Sequence, residues 1–246
     1  GSDIIGELSN DGGQDYSGWS VSLSGDGSRL AIGAIHNSVS FVAYPNTNPN
    51  QYKGHVRVYA ESGGTWSQVG ADIDGEDAYD YSGWSVSLSD DGTRVAIGTY
   101  GNDDNGNNAG HVRVYSESSG TWTQMGTDID GEAAEDQSGW SVSLSGDGLR
   151  LAIGARYNDG GGSSSGHVRV YSESGGTWTQ LGSDIDGGAQ FDYSGWSVSM
   201  SYDGTRLAIG APGASHLGGV GHVAVYAESG VAGQPGGAAS ASGCGC

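Results

Sequence analysis

Cysteine is almost missing from this sequence. Of 246 residues only Cys244 and Cys246 are cysteines, both at the very end. No disulfide can therefore staple the body of the chain. Basic residues are also scarce, with 9 Lys+Arg against 29 Asp+Glu and a formal net charge of -20. Phosphate binding needs a basic surface, so nucleic acid is excluded as the expected partner, and an anionic membrane surface with it. Such acidity suits divalent cations, cationic partners, a salty medium or solubility alone. No apolar run reaches the length of a membrane span, so membrane insertion is not expected, and no signal-peptide pattern is visible. No Ser/His/Asp or Cys/His set stands apart from the recurring residues, and the expectation is a protein that is not an enzyme. A carboxylate pair for glycoside hydrolysis stays open as an alternative, because fold does not fix function.

What is present is repetition. Ser17-Gly18-Trp19-Ser20-Val21-Ser22-Leu23-Ser24 returns at 82–89 and 138–145, and at 194–201 with Met200 for the leucine. The tryptophans fall at 19, 84, 140 and 196, the last two steps being 56 residues. A fixed period of this length marks a repeat architecture. Glycine is abundant, 48 residues, but it sits at fixed places beside regular apolar runs. Patterned glycine of this kind means turns between short strands.

Each repeat contains four strand-like segments. In the first, Trp19, Val21 and Leu23 alternate with Ser20, Ser22 and Ser24, the period of a strand. A turn containing Asp26-Gly27 leads to Arg29-Leu30-Ala31-Ile32-Gly33-Ala34. The third segment is Gly54-His55-Val56-Arg57-Val58-Tyr59, and the fourth is Thr65-Trp66-Ser67-Gln68-Val69-Gly70. The alternating Trp residues are expected to form core on the innermost strand. Four short antiparallel strands per repeat predict an all-β fold, a β-propeller of four-stranded blades.

The first three segments occur four times and the Thr-Trp segment three times, at 65, 121 and 177. Gly1-Ser2-Asp3-Ile4 repeats Gly182-Ser183-Asp184-Ile185, so the sequence starts within a repeat, as a processed protein or an excised fragment would. The N-terminal segment is accordingly expected to complete the last blade and close a ring of four, which would remove the exposed sheet edges. An excerpt from a longer array is the alternative. The propeller is placed at 1–230, with repeats starting near 17, 82, 138 and 194. Residues 231–246 read as a Gly/Ala/Ser-rich flexible tail, whose Cys244 and Cys246 could serve self-assembly.

The run Ser17-Gly18-Trp19-Ser20-Val21, then Asp26-Gly27, then Ala31-Ile32-Gly33-Ala34 resembles the FG-GAP repeat family. Ile209-Gly210-Ala211-Pro212 and Gly221-His222-Val223-Ala224-Val225-Tyr226 are similar to other parts of the family pattern. The resemblance runs over nearly all of 3–230. It implies a β-propeller, usually extracellular or at the cell surface, used for adhesion, recognition or scaffolding. Many such blades carry a calcium loop between the first two strands. Here that turn offers Asp26 among serines with Arg29 close by, a poor ligand set for calcium. Asp26 is expected to shape the turn instead and to pair with Arg29.

Antiparallel strands place the connectors between repeats and the loops between second and third strands on one face. That face takes 20 of the 29 acids. Candidate calcium ligands lie in its connectors: Asp72, Asp74, Glu76 and Asp80; Asp128, Asp130, Glu132 and Asp136; Asp184, Asp186 and Asp192. Solvated turns and strand caps are the alternative. Candidate ligand-binding residues on the same face are Phe41, Tyr44, Tyr52, Tyr79, Tyr100, Asn102, Asp103, Tyr157, Asn158 and Phe191. Aromatic rings with Asn and Asp on loops suit sugar or protein recognition, although packing between blades would use the same tyrosines. His55, His111, His167 and His222 recur on the third strand, and Arg57, Arg113 and Arg169 repeat in the same way, with Ala224 breaking the set; these residues are expected to hydrogen-bond between blades. The expected function is a non-catalytic recognition or adhesion module for a glycan or protein. A building block of a filament, wall or matrix is the first alternative.

Overall fold

The structure is a computed structural model and describes residues 3–6, 14–37, 51–213 and 218–227. Phe41, Tyr44, Cys244, Cys246 and the tail lie outside the described residues. The described part is all-β, with no helix. The first sheet contains β1 (Ser17–Leu23), β2 (Arg29–Ala34), β3 (His55–Ser62) and β4 (Thr65–Gln68), hydrogen-bonded in that order. The two-residue β5 (Ile73–Asp74) also pairs with β3. The fourth segment is therefore split: β4 pairs with the far half of β3, and β5 with His55 and Val56 at its start. Gly70, at φ 77°, supplies the left-handed position between the two pieces.

The second sheet repeats this plan with β6 (Ser85–Leu88), β7 (Arg94–Thr99), β8 (His111–Ser118), β9 (Thr121–Gln124) and β10 (Ile129–Asp130). The third uses β11 (Ser138–Leu144), β12 (Arg150–Ala155), β13 (His167–Ser174), β14 (Thr177–Gln180) and β15 (Ile185–Asp186). The fourth has three strands among the described residues: β16 (Ser197–Met200), β17 (Arg206–Ala211) and β18 (His222–Ala227).

The sheets stack face to face, and strand alternation decides what meets. Cross-strand partners Val142 and Ile153, and Leu144 and Leu151, share one face of the third sheet. They pack on Ala96, Val112, Val114 and Ile129 of the second. The same sets form the interfaces between the first and second sheets and between the third and fourth. Serines of the innermost strands bind across. Ser20, Ser85 and Ser141 donate through Oγ to the carbonyls of Gly83, Gly139 and Gly195 at 2.6–2.8 Å. The backbones approach so closely that a Cβ on Gly33, Gly98 or Gly154 would lie 2.1–2.2 Å from those oxygens.

Two expectations need correction. The tryptophans form a ladder, Trp19 to Trp84 to Trp140 to Trp196, with centroids 4.7, 4.6 and 5.4 Å apart. They are not buried core: Trp19 is 47% and Trp196 42% exposed. Nor do residues 3–6 complete the fourth sheet. They join no strand, and Gly6 sits against Ser17 and Asp15 at the entrance to the first sheet. The closed ring of four is not formed by the described residues.

Candidate functional site

The face expected to collect the acids is assembled by backbone hydrogen bonds between each connector and the loop beside it. Tyr79 and Tyr81 donate N–H to Gln51 and Tyr52, Glu135 and Gln137 to Asn107 and Asn108, and Phe191 and Tyr193 to Ser163 and Ser164. Parallel bridges Gly54–Ser82, Gly110–Ser138 and Gly166–Ser194 fasten the end of each loop to the next blade. Connector and loop thus form one double layer along the sheet ends.

This layer turns aromatic residues outward at a conformational cost. Tyr16, Tyr52, Tyr79, Tyr81, Phe191 and Tyr193 all have φ between 55° and 69°. Glu135 and Gln137 take φ 69° and 58° at the same positions of their connector, so the left-handed backbone belongs to the repeated connector, and the neighbouring connectors place rings on it. The rings form a ribbon. His36 packs at a tilt between Tyr16 and Tyr52, Tyr52 lies 5.9 Å from Tyr81, Tyr81 lies 5.3 Å from Tyr100, and Tyr100 meets Trp84 and Trp140 edge-on. Arg156 enters the ribbon 3.2 Å from the Trp140 ring centre and near the Tyr157 and Trp196 rings. Tyr16, Tyr79 and Phe191 are about half exposed. Of the candidate ligand residues, Tyr79, Phe191 and Asp103 reach the surface, while Tyr52, Tyr100 and Tyr157 are half-buried ribbon members. Asn102 and Asn158 are instead buried. Asn158 donates to Asp136 and accepts from Gly160 N, and Asn102 accepts from Asp104 N. They shape the loops.

The acids sort differently from the sequence expectation. Asp80, Asp136 and Asp192 are buried, and each accepts a backbone N–H, from Asp77, Ala133 and Ala189 respectively. Burial pushes the Asp80 carboxyl up to about 6 and raises that of Asp136. They act as turn caps and do not join the acid groups described next.

Those groups form around the histidines, two of them across blades. Glu76 leaves its own connector to meet Asp104, His111 and Asp128, with donor atoms within 4.8 Å of one another. Glu132 meets His167 and Asp184 in the same way, and His55 meets Asp72 and Asp74. Asp130 and Asp186 belong to none of these groups. The sorting follows from topology. The β5-type strand lies against the start of β3, which brings Asp72 to His55, whereas the following glutamate passes over to the next sheet.

The histidines were expected to bridge blades by hydrogen bonds. His111 is fully buried, and neither ring nitrogen has a hydrogen-bond partner; its Nδ1 lies 3.7 Å from Asp128. Nδ1 of His55 and of His167 is likewise unsatisfied, 3.7 Å from Asp72 and 3.8 Å from Glu132. Burial holds His111 and His167 down at about 4, so the rings are neutral at neutral pH, the form that ligates metals. The blade-bridging role falls to the arginines: Arg113 and Arg169 donate to the Asp74 and Asp130 carbonyls of the preceding connector. Arg57 grips Asp72 through two bonds of 2.8 and 2.7 Å and lowers its carboxyl. That commits both Asp72 oxygens, so the His55 group is the weakest of the three. In the His111 group Arg113 pairs with Glu76 Oε1 at 3.0 Å and Gln124 donates to Asp128 Oδ1, each leaving the second carboxylate oxygen free; with three carboxylates and a buried neutral imidazole it is the largest donor set of the three for a divalent cation.

On the opposite face the Asp26 turn does not fit calcium. One carboxylate oxygen of Asp26 accepts from Ser24 Oγ and Ser28 N, which holds the residue well below its ordinary range, at about 2. Arg29 reaches past it to Glu117 at 3.1 Å. The repeats at Asp91, Asp147 and Asp203 make the same turn bonds.

Comparison with solved structures supports a propeller-like arrangement. A candidate 6-phosphogluconolactonase from Bacteroides uniformis matches with TM-score 0.55 and 14% identity, over 88% of this chain and 52% of that one. The hydrazine synthase of Kuenenia stuttgartiensis matches with TM-score 0.50 and 16% identity, over 84% of this chain and 51% of that one. The periplasmic gluconolactonase of Pseudomonas aeruginosa gives 0.49 at 18% identity, over 88% and 54%. The chain spans about half the length of these structures, and at such identities the likeness concerns the fold. No curated protein matches the sequence. Residues 71–115 and 123–171 match the FG-GAP repeat family, which supports the resemblance read from the repeats over the second and third sheets.

Proposed function

We propose that the protein is a non-catalytic recognition module that binds a glycan or a protein segment on its connector face, outside the cell or at its surface. The observation that supports this reading best is the aromatic ribbon. Six aromatic residues take left-handed backbone conformations on one face, and three of them, Tyr16, Tyr79 and Phe191, stand about half exposed beside the acidic connectors. Half-exposed rings offer the stacking surface that sugars use, and neighbouring carboxylates accept hydroxyl hydrogen bonds.

A divalent cation forms part of the proposal. Glu76, Asp104, His111 and Asp128 would hold it. The oxygen donors suit calcium, and the imidazole adds affinity for zinc or manganese. Bound there, the ion would neutralise part of the acidic face and fix the 103–108 loop. The test is an array of neutral and acidic oligosaccharides, with a parallel pull-down of surface proteins, each run in EDTA, calcium and zinc. Binding that is lost in Tyr79→Ala and Phe191→Ala is expected. Blank arrays and pull-downs in all three conditions would contradict the proposal.

A further inference from the structure

Two of the acid–histidine groups join neighbouring sheets, and their plan repeats one blade on. Glu76 closely follows β5 of the first sheet, whereas Asp104, His111 and Asp128 belong to the second. Glu132 likewise follows β10 of the second sheet, whereas His167 and Asp184 belong to the third. Within each group the donor atoms lie within 4.8 Å of one another.

Each cluster surrounds a histidine that the fold hides without a partner. His111 and His167 are 0% and 1% exposed, and Nδ1 of each makes no hydrogen bond. Buried polar groups are ordinarily satisfied, so both atoms call for a partner from outside the chain. Both are aimed at carboxylates: His111 Nδ1 lies 3.7 Å from Asp128 Oδ2, and His167 Nδ1 lies 3.8 Å from Glu132 Oε2. A tetrahedral ion bound at about 2.0–2.1 Å holds its donors about 3.4 Å apart, close to the spacing these pairs already have. Neighbouring side chains take one carboxylate oxygen and spare the other. Arg169 faces Glu132 Oε1 at 3.7 Å, which leaves Oε2 on the histidine side. Gln180 donates to Asp184 Oδ1 at 2.7 Å. The Glu76 and Glu132 side chains are 42% and 43% exposed, so they have room to swing onto an ion. The plan stops at the other two histidines of the third strand. Arg57 holds both oxygens of Asp72 beside His55, and Gly188 takes the glutamate position in the connector that precedes His222.

We infer that zinc-class divalent cations staple neighbouring blades at two successive interfaces: Glu76, Asp104, His111 and Asp128 hold one between the first and second sheets, and Glu132, His167 and Asp184 hold the other between the second and third. The first ion rests on the cation proposed above for the connector face; the second site and the stapling role of both are additional to it. An imidazole beside carboxylates favours zinc, whereas calcium takes oxygen ligands. The two sites are unequal. Asn102 and Asn158 accept the N–H of Asp104 and Gly160 in the same way, so Gly160 stands where the first site has its third carboxylate. The second site therefore has three protein ligands and an open position for water. The repeats contain no cysteine, and these ions tie sheet to sheet where no disulfide does.

Zinc sulfate titrated into the EDTA-stripped whole chain tests this. Bound zinc is counted by native mass spectrometry and stability is read by urea unfolding, with Cys244→Ser and Cys246→Ser in every sample so that thiols do not contribute. Two zinc ions per chain are expected, the second weaker. His111→Ala should weaken the tighter step at least about tenfold. Glu132→Gln on the second sheet and His167→Ala on the third should each weaken the other step by as much, as an ion bridging the two sheets requires. At free zinc about 100 times the Kd, each occupied site should lower the unfolding constant about a hundredfold. Each variant should lose its own hundredfold, measured against the same variant in EDTA. A single ion per chain, a second step that Glu132→Gln and His167→Ala leave intact, or binding without added stability overturns the proposal. A blank oligosaccharide array beside a zinc count of two would refute recognition alone and leave the staples standing.

Discussion

Replacing Asp80 by asparagine tests whether the buried connector acids are structural caps. Asp80 is 2% exposed, and its carboxylate accepts the Asp77 N–H at 3.0 Å. Burial is the largest influence on it and raises its pKa from 3.8 to about 6. The folded protein therefore favours the protonated acid. The stabilisation this confers is fully present below pH 3.8 and is lost as pH rises through 6. At about 1.4 kcal/mol per tenfold, the full shift is worth about 3 kcal/mol. Solvent reaching the connector brings the observable part to about 2 kcal/mol. Asparagine keeps a carbonyl oxygen for Asp77 N and carries no charge to desolvate. Any lost hydrogen bond shifts the variant by about 1 kcal/mol at every pH. The readout is the difference in urea unfolding free energy between Asp80→Asn and wild type, measured from pH 3.5 to 7.5 in EDTA. It should move in favour of the variant by about 2 kcal/mol between pH 3.8 and about 6, with its midpoint at about pH 5. A difference that is flat with pH, or that moves against asparagine as pH rises, would refute the capping argument and return Asp80 to the metal-ligand candidates.

Three further outcomes follow from the same geometry. Leu151→Ala removes a fully buried side chain between the second and third sheets and should cost about 2–5 kcal/mol in denaturant titration. Gly154→Ala places a Cβ 2.2 Å from the Gly195 carbonyl; it should destabilise by about 1–3 kcal/mol, whereas alanine at the open Gly175 turn, at φ 61° with no atom within 4 Å, pays only for backbone strain. His111→Ala should weaken zinc binding at least about tenfold in a calorimetric titration, while His55→Ala, beside the Arg57-bound Asp72, should change it little.

The sequence made the sheets legible because their determinants are local and recur. Val142 and Ile153 can be placed on one face from alternation alone, and the Asp26 turn from its Asp-Gly pair. The acidic face was legible for the same reason, since strand parity alone sorts the loops. The metal-type groups were not. Glu76 lies in the connector with Asp72, yet topology carries it to the next blade's His111. The available signal was the recurrence of histidine at the third strand beside an acidic connector, but recurrence also fits a structural role. The pairing of β5 with the start of β3 separates the two readings. Arg29 shows the same limit: a turn neighbour in sequence, it binds Glu117 of the next blade. Ring closure was the furthest from view, because it depends on the angle between sheets and not on strand content. The tryptophan alternation likewise identified the strand correctly but not its exposure, since Trp19 sits where the ladder ends.

The central claim is that recognition occurs on the connector face. Hydrogen exchange of the intact protein, with and without the oligosaccharide or protein segment bound best in the array or pull-down, tests it most directly. The account predicts slowed exchange in 77–81, 100–108, 156–164 and 189–193, and no change in the opposite turns at 24–29, 90–94 and 146–150. Protection confined to those opposite turns would contradict it.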